Sequence, residues 1–246
     1  GGHISCGMRA AEGAVERVGW QDGRITLQVI GNGEAVGLCG SGVLDAMATL
    51  RRSDMIDARG RMAAHHAGIS VANGQRVAVL APGVQVSQHD VRAVQLAKAA
   101  IRTGVQLLCE RAGLPESAID HFIIAGAFGA YIDVASGVAI GLFPDLPAAR
   151  FEQVGNAAGV GVHQMLASAA ARQRAAELAA ACRYVELSTI ASFQKVFLHH
   201  IGFPAGAHHR RDAPTSPSSP PSSPPSSPVS SLPTQTRSPA ARSLSA

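Results

Sequence analysis

A short, wholly apolar run, Phe122-Ile123-Ile124-Ala125, and a second short strand-like segment, Phe151–Val154, each empty directly into glycine, at Gly126 and at Gly155. A brief, wholly apolar run is what a strand buried on both faces shows, and such strands belong to parallel sheets. Segments of helical period alternate with them, so the chain is predicted to be α/β. Glycine at the end of a buried strand leaves bare backbone that a ligand can approach, and in open α/β sheets ligands gather at the carboxyl ends of strands. Each junction also has a plain explanation. Gly126-Ala127-Phe128-Gly129 can be a tight strand–helix turn, and Asn156 can simply cap the helix Ala157–Ala167. Two such junctions bordering one crevice say more than either alone.

The rest of the chain fits the same class. Ala14–Val18 and Arg24–Ile30 flank Gly19-Trp20-Gln21-Asp22-Gly23 and read as a hairpin. Ile69–Val71 and Arg76–Leu80 flank Asn73-Gly74, the strongest short turn signal. Ser87 and Asp90 form a capping-box start, after which Val91, Val94, Ala97, Ile101, Val105 and Leu108 recur at helical spacing until Gly113 and Pro115 end the helix. Further helices are expected over Val43–Arg51, Ala171–Ala181 and Thr189–His200, with a strand at Tyr184–Leu187.

Two more features bear on chemistry. Gln95, Lys98 and Arg102 share one face of the long helix, and Lys98 is one of two lysines among 19 arginines. That face is either a solvated surface or a ligand contact. Leu38-Cys39-Gly40-Ser41-Gly42 opens a helix with glycine-rich backbone, which suits an anion, but it lacks the G-K-[ST] of a phosphate-binding P-loop.

Composition divides the chain. Residues 1–205 carry the apolar content, whereas 206–246 are almost entirely Pro, Ser, Thr, Ala and Arg. Such a segment is expected to be disordered, having little apolar surface to offset the entropy of ordering. Arg210, Arg211, Arg237 and Arg242 against Asp212 concentrate the excess positive charge there. Without a basic helix face or aromatic ladder, nucleic acid is not an expected partner. No stretch approaches a membrane span. Cys6, Cys39, Cys109 and Cys182 form no C-x-x-C pair, so neither a disulfide framework nor a zinc site is read from them, and a cytoplasmic setting is expected.

Taken in order, HISCGMRAAEGAVERV, GLCGSGVLDAMATL, DVRAVQLAKAAIRTG, IIAGAFGAYID, IGLFPD and QVGNAAGVG resemble the C-terminal domain of ATP-dependent reductive activators of corrinoid proteins, within the acetate-and-sugar-kinase/Hsp70/actin superfamily. The resemblance covers nearly all of Gly1 to Phe203. It implies the C-terminal lobe of an actin/Hsp70-like fold, a mixed sheet flanked by helices. It also implies ATP with Mg²⁺ as cofactor and a corrinoid protein of a methyltransferase system as partner, with a homodimer as a further option.

By that resemblance Gly126, Ala127 and Gly129 fall where backbone meets the nucleotide's sugar and α-phosphate. Gln95, Lys98 and Arg102 fall on the helix flanking adenine and ribose, and Gly155 with Asn156 in the second connecting segment at the hinge. The family's [2Fe–2S] domain and its first and second phosphate motifs have no counterpart in this sequence, so the chain alone is not expected to hydrolyse ATP. Three readings follow: a fragment of the activator carrying the adenosine side of the site, a stand-alone docking module for a corrinoid protein, or a remnant of a truncated gene. Related activators bridge an iron–sulfur cluster through a cysteine placed like Cys39; a buried structural thiol is the expected role here.

Overall fold

The computed structural model describes residues 3–72, 74–126 and 128–205. The Pro/Ser-rich segment from 206, Asn73 and Ala127 lie outside the described residues.

β1 (Ala14–Gln21) and β2 (Arg24–Val29) form the first hairpin. Its tip is only Asp22-Gly23, with φ of 50° and 76°, the two-residue turn whose positive φ values match the twist of its strands. Gly19-Trp20-Gln21, expected in the loop, therefore belong to β1. β3 (Gly37–Leu38) adds to the other side of β1 in parallel, giving a mixed sheet of order β2-β1-β3. It runs into α1 (Gly40–Arg52), which starts earlier than the expected Val43. Val43, Ala46, Met47 and Leu50 recur at helical spacing and are all buried.

The second hairpin, β4 (Ile69–Ala72) and β5 (Gln75–Ala81), gains an unanticipated third strand, β6 (Val84–Ser87), through the Pro82-Gly83 turn. α2 (Gln88–Ala112) then begins as expected. Ser87 Oγ accepts the Asp90 N–H at 3.2 Å while the Ser87 N–H donates to Asp90 Oδ2 at 2.8 Å, and Gly113 ends the helix at φ 68°.

β7 (Phe122–Ala125) and β8 (Phe151–Gly155) pair in parallel. α3 (Val134–Ala139) lies between them in sequence. The rings of Phe122, Phe143 and Phe151 cluster at 5.3–6.0 Å. Ile124, Ile140 and Phe143 join the buried core that also contains Val15, Leu38 and Met47.

α4 (Ala157–Ala167) and α5 (Ala169–Ala181) pack on each other and hold no buried residue. The strand expected at Tyr184–Leu187 does not form. A strand requires a neighbouring ladder, and here the polar groups are satisfied locally, with Tyr184 and Ser188 hydroxyls donating to Glu186. α6 (Phe193–Ile201) closes the described chain. No helix among the described residues is long and apolar enough to cross a membrane.

Candidate functional site

The carboxyl ends of β7 and β8 meet through their glycines. The Gly126 N–H donates to the Gly155 carbonyl at 2.6 Å, and both residues hold left-handed backbone, φ 102° and 62°. Only glycine adopts such conformations readily. A Cβ built on either glycine would meet nothing within 4 Å, so the space above both backbones is open. That is the fit a ligand backed onto bare backbone requires.

The surroundings hold this edge in place. Gln153 Nε2 donates to the carbonyls of Gly129 at 2.7 Å and Ile132 at 2.8 Å, tying the turn after β7 back to β8. Gly129 is buried, and a Cβ there would lie 2.8 Å from the Ile124 side chain, so its glycine serves packing. Asn156 caps α4 by accepting the Gly159 N–H at 3.0 Å. Ala127 lies outside the described residues.

The start of α1 reaches the same edge, through contacts that no sequence pattern announced. The Phe128 ring occupies the space beside Gly40, where a Cβ would come within 2.1 Å of a ring carbon. Gly42 lets α1 press onto β1, since a Cβ there would stand 2.1 Å from the Val15 carbonyl oxygen. The Cys39 thiol is buried, its Sγ 3.3 Å from both the Val15 carbonyl and Ser41 Oγ. One turn on, Asp45 faces α3. Burial pushes its carboxyl up to about 6, against the opposing effects of a Ser136 hydrogen bond and the Arg17 guanidinium. Gly40 reads in sequence as part of an anion-binding turn; its packing against Phe128 is what sequence reasoning missed.

The other three predicted residues make their contacts elsewhere. Gln95 and Lys98 are buried to 1% and 2% exposure against the end of α6. Lys98 Nζ donates to the carbonyls of His200 and Gly202, both at 2.6 Å, and Gln95 Nε2 donates to that of Ile201 at 2.9 Å. These three successive carbonyls are acceptors that a helix leaves unpaired at its C-terminus, and the ammonium also suits the negative end of the helix dipole. Lys98 further sits 5.2 Å over the Phe203 ring. Burial and the neighbouring Arg102 charge lower its amine to about 8. Arg102 forms a two-pronged ion pair with Glu116, both contacts at 2.5 Å. So these three groups on the polar face of α2 are spent on the end of α6 and on Glu116 rather than on solvent. Ile101 and Leu108, expected among the apolar stripe, are half exposed instead.

His200 belongs to the same contact, its Nε2 2.7 Å from Gln106 Oε1. Burial first, then the charges of Arg102, His199 and Lys98, depress its imidazole to about 4 from an ordinary 6.5. The unfolded chain therefore takes up a proton before the native one. This group's stabilisation is complete above pH 6.5 and is lost as pH falls toward 4. Thermal melts should show the midpoint falling through that window, and His200→Gln should flatten the fall.

Among the described residues no three His, Cys, Asp or Glu side chains converge to hold a metal ion.

Fold and glycine edge together define an α/β lobe of the ASKHA class, a nucleotide-binding class. The family model described as the C-terminal domain of RACo, the ASKHA domain, matches residues 1–212, and the chain belongs to that family. It is 36% identical over 220 residues to the corrinoid activation enzyme RamQ of Eubacterium limosum, covering 82% of this chain and 37% of that protein. It is 28% identical over 123 residues to the [Co(II) methylated amine-specific corrinoid protein] reductase of Methanosarcina barkeri, covering 50% of this chain and 21% of the relative. A solved structure, the reductive activator for corrinoid,iron-sulfur protein, superimposes with a TM-score of 0.75 at 33% identity, covering 82% of this chain and 34% of that one. The chain thus spans about a third of the length of its better-matched relatives.

Proposed function

We propose that residues 1–205 form the C-terminal lobe of a cytoplasmic, ATP-dependent reductive activator of corrinoid proteins that serve methyltransferases, and that this lobe contributes the adenosine side of the nucleotide site. The observation that carries the reading is the open, hydrogen-bonded pair Gly126–Gly155 at neighbouring parallel strand ends. Gly126 and Gly155 offer backbone to the sugar and α-phosphate, while Gly129 and Asn156 fix the turns on either side. Gln95 and Lys98 act at one remove, by seating α6, and Arg102 by its ion pair with Glu116. The relatives' activities on corrinoid proteins support the choice of partner. Mg²⁺ would arrive with the phosphates, and a [2Fe–2S] centre would be held outside residues 1–246, because the described cysteines do not gather. Those cysteines are all free thiols, which suits a reducing compartment.

The test is calorimetric titration of the chain with ATP, repeated with Gly155→Asn. Asparagine tolerates left-handed backbone better than other residues, so this variant should keep its fold while its side chain enters the open space. Affinity should drop about tenfold or more. A chain that binds no ATP, or a folded Gly155→Asn variant that binds as well as wild type, would overturn the assignment. Binding to a Co(II) corrinoid protein of the methylated-amine type, followed by biolayer interferometry, tests the partner separately.

A further inference from the structure

We infer that the cavity between the turn 57–61, the first half of α2 and the end of α6 binds a phosphate-bearing ligand. It has a volume of about 360 Å³ and is lined by Arg59, Arg61, Arg92 and Gln95 together with Leu198 and Ile201. Three arginines therefore line one small space that also has an apolar wall.

The turn that presents two of them is pre-built. Asp57 Oδ1 accepts the N–H groups of Arg59 and Arg61, each at 2.8 Å, and Asp57 Oδ2 receives Arg61 Nε at 2.8 Å. Gly60, at φ 77°, lies so close to α2 that a Cβ would come within 2.4 Å of Gln95 Oε1. The Arg59 carbonyl accepts from Arg92 Nη1 at 3.0 Å and from Gln95 Nε2 at 3.2 Å, and Arg92 Nη1 also donates to Gln95 Oε1 at 2.9 Å. The backbone carrying the arginines is thus anchored on the buried Gln95, so a ligand has the exposed arginine side chains, rather than the turn, left to order.

Charge selects the ligand. Arg61 shares its charge with Asp57, but neither Arg59 nor Arg92 forms an ion pair among the described residues. Gathering like charges costs free energy that an anion would recover. A single carboxylate would leave part of that charge uncompensated, whereas a phosphoryl group carries more charge and three acceptor oxygens matched to guanidinium forks. Leu198 and Ile201 would take the organic portion of the ligand. The site uses none of the glycine-edge residues, so it stands whether or not the nucleotide assignment holds.

Inorganic pyrophosphate is the probe, titrated into the whole chain at low salt and followed by calorimetry and phosphorus NMR. Arg59 is exposed at the cavity rim, so Arg59→Ala should melt like wild type yet bind pyrophosphate about tenfold or more weakly, the loss expected for hydrogen bonds to a charged group. Arg59→Lys should fall between the two. Gly155→Asn should bind pyrophosphate as wild type does. Absence of pyrophosphate binding at low salt, equal affinity of wild type and Arg59→Ala, or a parallel loss in Gly155→Asn would each overturn the proposal.

Discussion

Gly42→Ala is expected to destabilise the chain by about 3 kcal/mol or more, at the upper end for inserting one methyl group into a packed interior. The added Cβ would sit 2.1 Å from the Val15 carbonyl oxygen and 2.9 Å from its carbon. Those atoms are backbone in the central strand of a mixed sheet, and the same carbonyl accepts the Cys39 N–H at 3.1 Å. Relief would require moving α1 off β1, with Met47 and Leu50, both fully buried, moving with it. Gly40→Ala provides the contrast. The three atoms nearest its Cβ all belong to the ring of Phe128, a half-exposed side chain rather than strand backbone. Denaturant midpoints measured side by side should separate the two variants clearly; equal midpoints would show that α1 is not seated on the Val15 carbonyl as described.

Lys98→Met is the second large effect. Methionine fills a similar volume but donates nothing, so the carbonyls of His200 and Gly202 lose their 2.6 Å partners. Each buried carbonyl left unsatisfied costs about 1–3 kcal/mol, partly offset because an ammonium no longer has to be desolvated. A net loss of about 2 kcal/mol is expected, concentrated at α6. Hydrogen exchange should show residues 193–204 losing protection while β7 and β8 keep theirs. If protection at α6 is unchanged, the side chains of α2 are not what holds that helix.

What could be read from the sequence was local. Ser87 with Asp90, and Gly113, each act on neighbours a few residues away, and the structure shows the cap and the helix end where those residues place them; the first hairpin was legible too, but its expected loop of Gly19 to Gly23 tightens to Asp22-Gly23. The two glycine junctions were equally legible, because a strand that stops at glycine announces its own end. That both could border one crevice was an inference from fold class; that they meet through the Gly126–Gly155 hydrogen bond came from the structure.

Contacts made across long separations were not legible. The polar face of α2 carries residues typical of a solvated surface, and nothing near Lys98 signals that its partners lie more than a hundred residues later, at 200 and 202. Gly42 looked like part of an anion turn because the Val15 carbonyl that requires it is remote in sequence. Tyr184–Leu187 has residues suited to a strand, but no neighbouring strand comes to pair with it. The cavity walled by Arg59, Arg61 and Arg92 draws on three separate segments and has no motif at all.

The tie between α2 and the end of α6 also imposes an order on biosynthesis. Lys98 emerges from the ribosome 102 and 104 residues ahead of the carbonyls that will receive its amine, a delay on the order of 5–20 s at usual translation speeds. Throughout that interval the amine lacks both of its native acceptors, so the inner flank of α2 cannot be sealed from water. The last dehydration step waits for the stretch around Gly202.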